Sequence, residues 1–148
     1  MKQLFVALAA AFVLTGCGSS RAELSPVTES DAYDRVEAYV RSAAAALPAD
    51  ASLEPASAPS SVVCKGQPNE QVRVTSTYWV RGITYDNAHF DTMLHWWEEH
   101  NFELLDDLRP ERHYLWVQNT TDGFRMSLRD NEKGEVLLGA ESPCLNSG

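Results

Sequence analysis

The run QVRVTSTYWVR, from Gln71 to Arg81, sends Val72, Val74, Ser76, Tyr78 and Val80 to one side and Arg73, Thr75, Thr77, Trp79 and Arg81 to the other. A period of two marks a strand with one buried face, because successive Cβ atoms point to opposite sides of a pleated backbone. Downstream, Asp86 or Asn87 supplies the N-cap of a helix running to about His100, in which Phe90, Met93, Leu94 and Trp97 form one apolar stripe. That stripe is the natural lid for the sheet. Phe102, Leu104 and Leu108 predict a short strand stopped by Pro110, and residues 112–118, 124–129 and 135–140 predict three more. The separators Asn119-Thr120-Thr121-Asp122-Gly123 and Asn131-Glu132-Lys133-Gly134 have hairpin composition and length, so these strands pair antiparallel. Upstream, Tyr33, Val36, Val40, Ala44 and Leu47 recur at helical spacing, with Thr28 or Ser30 as N-cap and Pro48 as the stop. Residues 48–61, rich in Pro, Ala and Ser, read as an extended connector. The order α-β-α-β-β-β-β predicts an α+β fold of two layers, an antiparallel sheet of four to five strands packed by one or two helices.

The chain has 148 residues, 44% of them hydrophobic and 22% charged, a balance that excludes a wholly disordered or collagen-like polypeptide. Twelve Lys and Arg stand against 21 Asp and Glu, a formal charge of -9, so the force that draws proteins onto phosphate backbones is repulsive and nucleic acid is not an expected partner.

Met1-Lys2-Gln3 and the apolar run from Leu4 to Leu14 read as a signal peptide, too short to span a bilayer. The tetrad Leu14-Thr15-Gly16-Cys17 resembles a bacterial lipobox. That resemblance implies cleavage after residue 16, a diacylglyceryl and acyl (palmitate-type) modification of Cys17, and display on the outer face of the plasma membrane. The alternative is an ordinary secretory signal with an incidental cysteine. Residues 17–29 then form a flexible polar tether, and residues 30–148 one globular domain. A doubly or triply acylated anchor needs no basic patch to hold the membrane. With Cys17 committed to lipid, Cys64 and Cys144 are an even pair in an oxidising compartment and are expected to form one disulfide. The layout, with Trp79 on a strand, Trp96-Trp97 on a helix and Ser142-Pro143-Cys144 near the end, resembles small secreted actinobacterial lipoproteins, a resemblance that brings no catalytic residues with it.

The candidate chemistry is thin. His95 and His100 lie at i and i+5, out of register with the i, i+4 helical zinc motif, and His113 is only a distant third ligand; a solvated face of Asp91, His95 and Glu99 explains them better. The acidic pairs Asp106-Asp107 and Glu98-Glu99 do not converge on one substrate, and the serines cluster away from any rigid base. No catalytic residue, metal or cofactor is expected. The remaining feature is the polar side of the strands, where Arg73, Trp79, Arg81, Trp116, Arg125 and Arg129 collect cations and aromatic rings suited to a peptide or glycan ligand. Two arrangements stay open: this face is bare and binds, or the first helix covers it and the tryptophans are core. The expected role is a non-catalytic binding module of the envelope. The alternatives are an accessory subunit that docks a partner protein through the first helix and, behind both, a small hydrolase.

Overall fold

The computed structural model describes residues 26–66 and 70–146. The expectations for residues 1–25, including lipidation of Cys17, lie outside the described residues.

The fold is α+β, built on the strand predicted around Gln71. That strand, β3 (Gln71–Thr84), is flanked on one side by β1 (Ser52–Pro55) and β2 (Ser60–Val63) and on the other by β7 (Glu135–Glu141) and β8 (Leu145–Asn146). Three hairpin neighbours complete the sheet: β4 (Phe102–Asp107), β5 (Tyr114–Asn119) and β6 (Arg125–Asp130). The order is β1-β3-β7-β6-β5-β4, every pair is antiparallel, and the sheet has eight strands where four to five were expected. The difference arises in the expected connector and at the chain end. Residues 48–61 are extended as expected, but β1 and β2 hydrogen-bond to β3, with Ala56 N donating to Thr77 O at 2.9 Å between them. Pro55 and Pro59 are compatible with this because an edge strand turns one row of backbone groups away from the ladder.

Helix α1 (Glu29–Ala43) starts at a reciprocal cap: Thr28 Oγ1 accepts from Asp31 N, and Asp31 Oδ2 accepts from Thr28 N, both at 3.1 Å. Its stripe of Ala32, Val36, Val40 and Ala43 is fully buried. Helix α2 (Asn87–Glu99) is capped by Asp86, whose carboxylate accepts from Ala88 N at 2.7 Å, and it buries Phe90, Met93 and Trp97. It is followed by Asn101 at φ 64°, the left-handed position that Asn tolerates. Both stripes enter one core with Val74 and Val80 of β3, Leu115 and Val117 of β5, Met126 and Leu128 of β6, and Leu138 of β7. Polar ties fix the layers. Glu37 of α1 accepts hydrogen bonds from Ser76 and Tyr78 of β3, and Asp122 in the β5–β6 loop accepts from Arg35 at 3.0 Å and Tyr39 at 2.7 Å. Trp97 Nε1 donates to Met126 Sδ at 3.3 Å.

Cys64 and Cys144 are joined in a disulfide with Cα atoms 6.2 Å apart. Cys64 follows β2 and Cys144 precedes β8, so the bond ties together the two flanks of β3. Among the described residues no helix is long and apolar enough to cross a membrane.

Candidate ligand-binding face

A sheet has two faces, and here both helices lie on the same one. The side chains of Val74, Ser76 and Val80 enter the core with the two helix stripes, which turns Arg73, Thr75, Thr77, Trp79 and Arg81 to the opposite face. Among the described residues no helix covers that side. Trp79 and Trp116 are half-buried and stand outside the core cluster, which corrects the arrangement in which α1 would have made them core residues. The α1 stripe expected to receive a partner is occupied by the sheet.

Register organises the open face into rows. Thr75, Glu141, Arg125 and Gln118 stand opposite one another; the next row is Thr77, Gly139, Ser127 and Trp116; the third is Trp79, Leu137, Arg129 and Tyr114. The middle row is small except at Trp116, so it forms the floor of a trough of about 250 Å³ between taller neighbours. Gly139 keeps that floor low: a Cβ there would come within 3.1 Å of Ser127 Oγ and 3.6 Å of Thr77 Oγ1. The trough adjoins a groove of about 980 Å³ that shares Tyr114, Trp116 and Arg129 with it and reaches Asp106, Glu111, His113 and Glu132.

The six expected residues all lie on this face, but they form two groups. Arg73, Trp116, Arg125 and Arg129 line the trough. The Arg125 guanidinium sits 4.9 Å from the Trp116 ring centre, and its Nε donates to Gln118 Oε1 at 2.9 Å. Arg73 and Arg125 share Glu141, at 3.3 and 3.8 Å. Arg129 is exposed and makes no ion pair among the described residues. Trp79 and Arg81 stand apart, stacked on each other with the guanidinium 5.0 Å from the ring centre. Arg81 is neutralised there by Glu54 at 2.8 Å and Glu135 at 3.1 Å. Its hydrogen bond holds the Glu54 carboxyl below the usual range, while Asn131 first and Arg81 second do the same for Glu135. Burial pushes the Tyr114 hydroxyl up.

Sequence reasoning missed two parts of the site. The small-residue floor was signalled by a lone glycine inside a strand, a mark of close approach. The second part is a pair in the larger groove, where His113 Nδ1 lies 2.8 Å from Asp130 Oδ2 and the His113 ring stacks on Tyr85 with centres 3.4 Å apart. Only the hairpin register joins these residues, through Asp130 N donating to His113 O. His113 and Asp130 are 17 residues apart, and no motif spacing marks them. The other histidines are peripheral: His95 pairs with Glu99 at 3.3 Å and His100 stacks on Trp96. Among the described residues no three His, Cys, Asp or Glu side chains gather as a metal site. Asp107 is taken up by Arg109, whose hydrogen bond holds that carboxyl below its ordinary value, while Asp106 faces the groove.

Compared with protein-family models, curated proteins and solved structures, the chain has no match in any of the three.

Proposed function

We propose that the protein is a lipid-anchored binding module of the bacterial envelope, tethered through Cys17 to the outer face of the plasma membrane and holding an envelope ligand on the open face of its sheet. The observation that carries the binding role is the trough on the sheet face that no described helix covers, floored by Thr77, Gly139 and Ser127 and walled by arginines and Trp116. Sheet faces in a two-layer fold are ordinarily either covered or plainly polar; this one is concave and presents aromatic rings beside cations. The anchor rests on the lipobox resemblance, and the Cys64–Cys144 disulfide supports an oxidising compartment. We read the role as non-catalytic, with the His113–Asp130 pair as a polar contact on the wall of the larger groove.

The address is tested by the mass of the native amino-terminal peptide. A chain beginning at Cys17 and carrying acyl mass is expected, and a Cys17→Ala variant is expected in the soluble fraction. Native protein that starts at Met1 without lipid contradicts the anchor.

A further inference from the structure

The arginines of this fold are satisfied unequally. Arg35, Arg81 and Arg109 each hold a carboxylate at 3.0 Å or less, and Arg81 and Arg109 each hold two. In the trough, Arg73 and Arg125 share one carboxylate, Glu141, at 3.3 and 3.8 Å, and Arg129 has none among the described residues. Acids are not scarce, since 21 Asp and Glu serve 12 Lys and Arg. Within the trough, three guanidiniums around one loosely held acid are therefore a local positive excess, while the adjoining groove carries Asp106, Glu111, Asp130 and Glu132. Arg125 and Arg129 are four residues apart on one strand, about 13 Å between Cα atoms at the usual rise. The small floor at Ser127 lies between them, with Arg125 leaning toward it over Trp116. Arg73, Arg125 and Arg129 line one trough with Ser127 and Gly139, and its volume of about 250 Å³ has room for an oxyanion.

Beyond the oxyanion, the larger groove offers Tyr114 and Trp116 together with Asp106, Glu111, His113 and Asn131. Rings beside carboxylates and an amide suit the apolar faces and hydroxyls of a sugar. A peptide is favoured less on this face. The backbone groups of interior strands are spent on the ladder, so no strand can be added here, and recognition falls to side chains. Accepting the open face as the binding surface, we propose that its ligand is an acidic saccharide whose carboxylate or phosphate group sits between Arg125, Arg129 and Arg73 while the sugar lies toward Tyr114 and Trp116.

The test is a titration of isotope-labelled residues 17–148, followed by NMR, with four probes: a glucuronic-acid-containing oligosaccharide, the matching neutral glucose oligosaccharide, a glucose phosphate and inorganic phosphate. The proposal expects one or both acidic sugars to shift the Arg125, Ser127 and Arg129 signals, and the one that binds identifies the anion. It expects roughly tenfold weaker binding in Arg129→Gln, the loss of one charge-assisted hydrogen bond. Because Arg129 makes no ion pair among the described residues, that variant is expected to fold and melt as the parent does. Equal binding of the neutral oligosaccharide on the same face overturns the oxyanion while leaving the open face as the binding surface. Inorganic phosphate binding as tightly as the sugars overturns the saccharide and leaves an anion site. No shift on the open face with any probe overturns this proposal, and capture of a different ligand on that face in a separate screen then separates its failure from that of the broader reading.

Discussion

Arg109 shows what a fully satisfied guanidinium looks like in this fold. It donates to Asp107 at 2.7 Å and to Asp91 at 2.8 Å, joining α2 to β4, and these bonds raise its own pKa, with that to Asp107 the largest cause. The same bond depresses the Asp107 carboxyl. A depressed carboxyl contributes stability above its unfolded value, near 4, and loses it as pH falls through the lower folded value. Denaturant titrations are thus expected to show stability falling below about pH 4, with a shallower acid limb in Asp107→Asn. Tyr39 works in the opposite direction. Burial first and the bond to Asp122 second push its hydroxyl well above the ordinary tyrosine value, so its contribution is present below about pH 10 and declines as pH rises past that point. Tyr39→Phe is expected to flatten the alkaline limb. The tryptophans give a sharper contrast. Trp97 is completely buried, and Trp97→Ala is expected to cost about 3–5 kcal/mol; Trp116→Ala on the open face is expected to cost less than about 1 kcal/mol while weakening ligand capture. Equal thermal losses in the two variants would place Trp116 in the core instead.

At the scale of elements, β3 organises the molecule because both of its sides are paired along most of its length. The disulfide closes a separation of 80 residues between its flanks, and in the chain-entropy model a loop of that size is worth about 4.5 kcal/mol. The double variant Cys64→Ser/Cys144→Ser is expected to lose up to that amount in chemical denaturation, with amide protection disappearing first in β2 and β8. Gly82 marks where β3 departs from regular pairing: its φ is 86°, and a Cβ there would collide with Asp50 O. The sequence announced most elements through local chemistry: alternation in β3, the Asp86 cap and stripe of α2, the two hairpin loops, and the position of α1 along the chain. It did not announce β1 and β2. Pairing at an edge is decided by a distant strand, and the proline-rich composition of residues 48–61 carries no periodic signal for it. The side of the sheet on which α1 packs was equally hidden, since its stripe of small apolar residues fits either face until the connection through β1 is known.

At the scale of the whole molecule, the described helices lie on one face of the sheet, and the other face holds the trough and the adjoining groove. Within the trough the charge pattern of the chain is locally reversed, with Arg73, Arg125 and Arg129 around Glu141. The candidate residues were legible as a list because strand alternation fixes their side. Their division into a trough group and the separate Trp79–Arg81 stack was not, because it depends on cross-strand register and on where Glu54, Glu135 and Glu141 fall. Arginine- and tryptophan-selective labelling of the protein in intact envelopes, compared with the purified protein, tests the binding face whatever the ligand's identity. The account predicts that Arg129 and Trp116 are shielded in the envelope and react freely after purification, while Arg41 of α1, on the helix side of the sheet, reacts alike in both. Identical reactivity of Arg129 and Trp116 in the two states would contradict it.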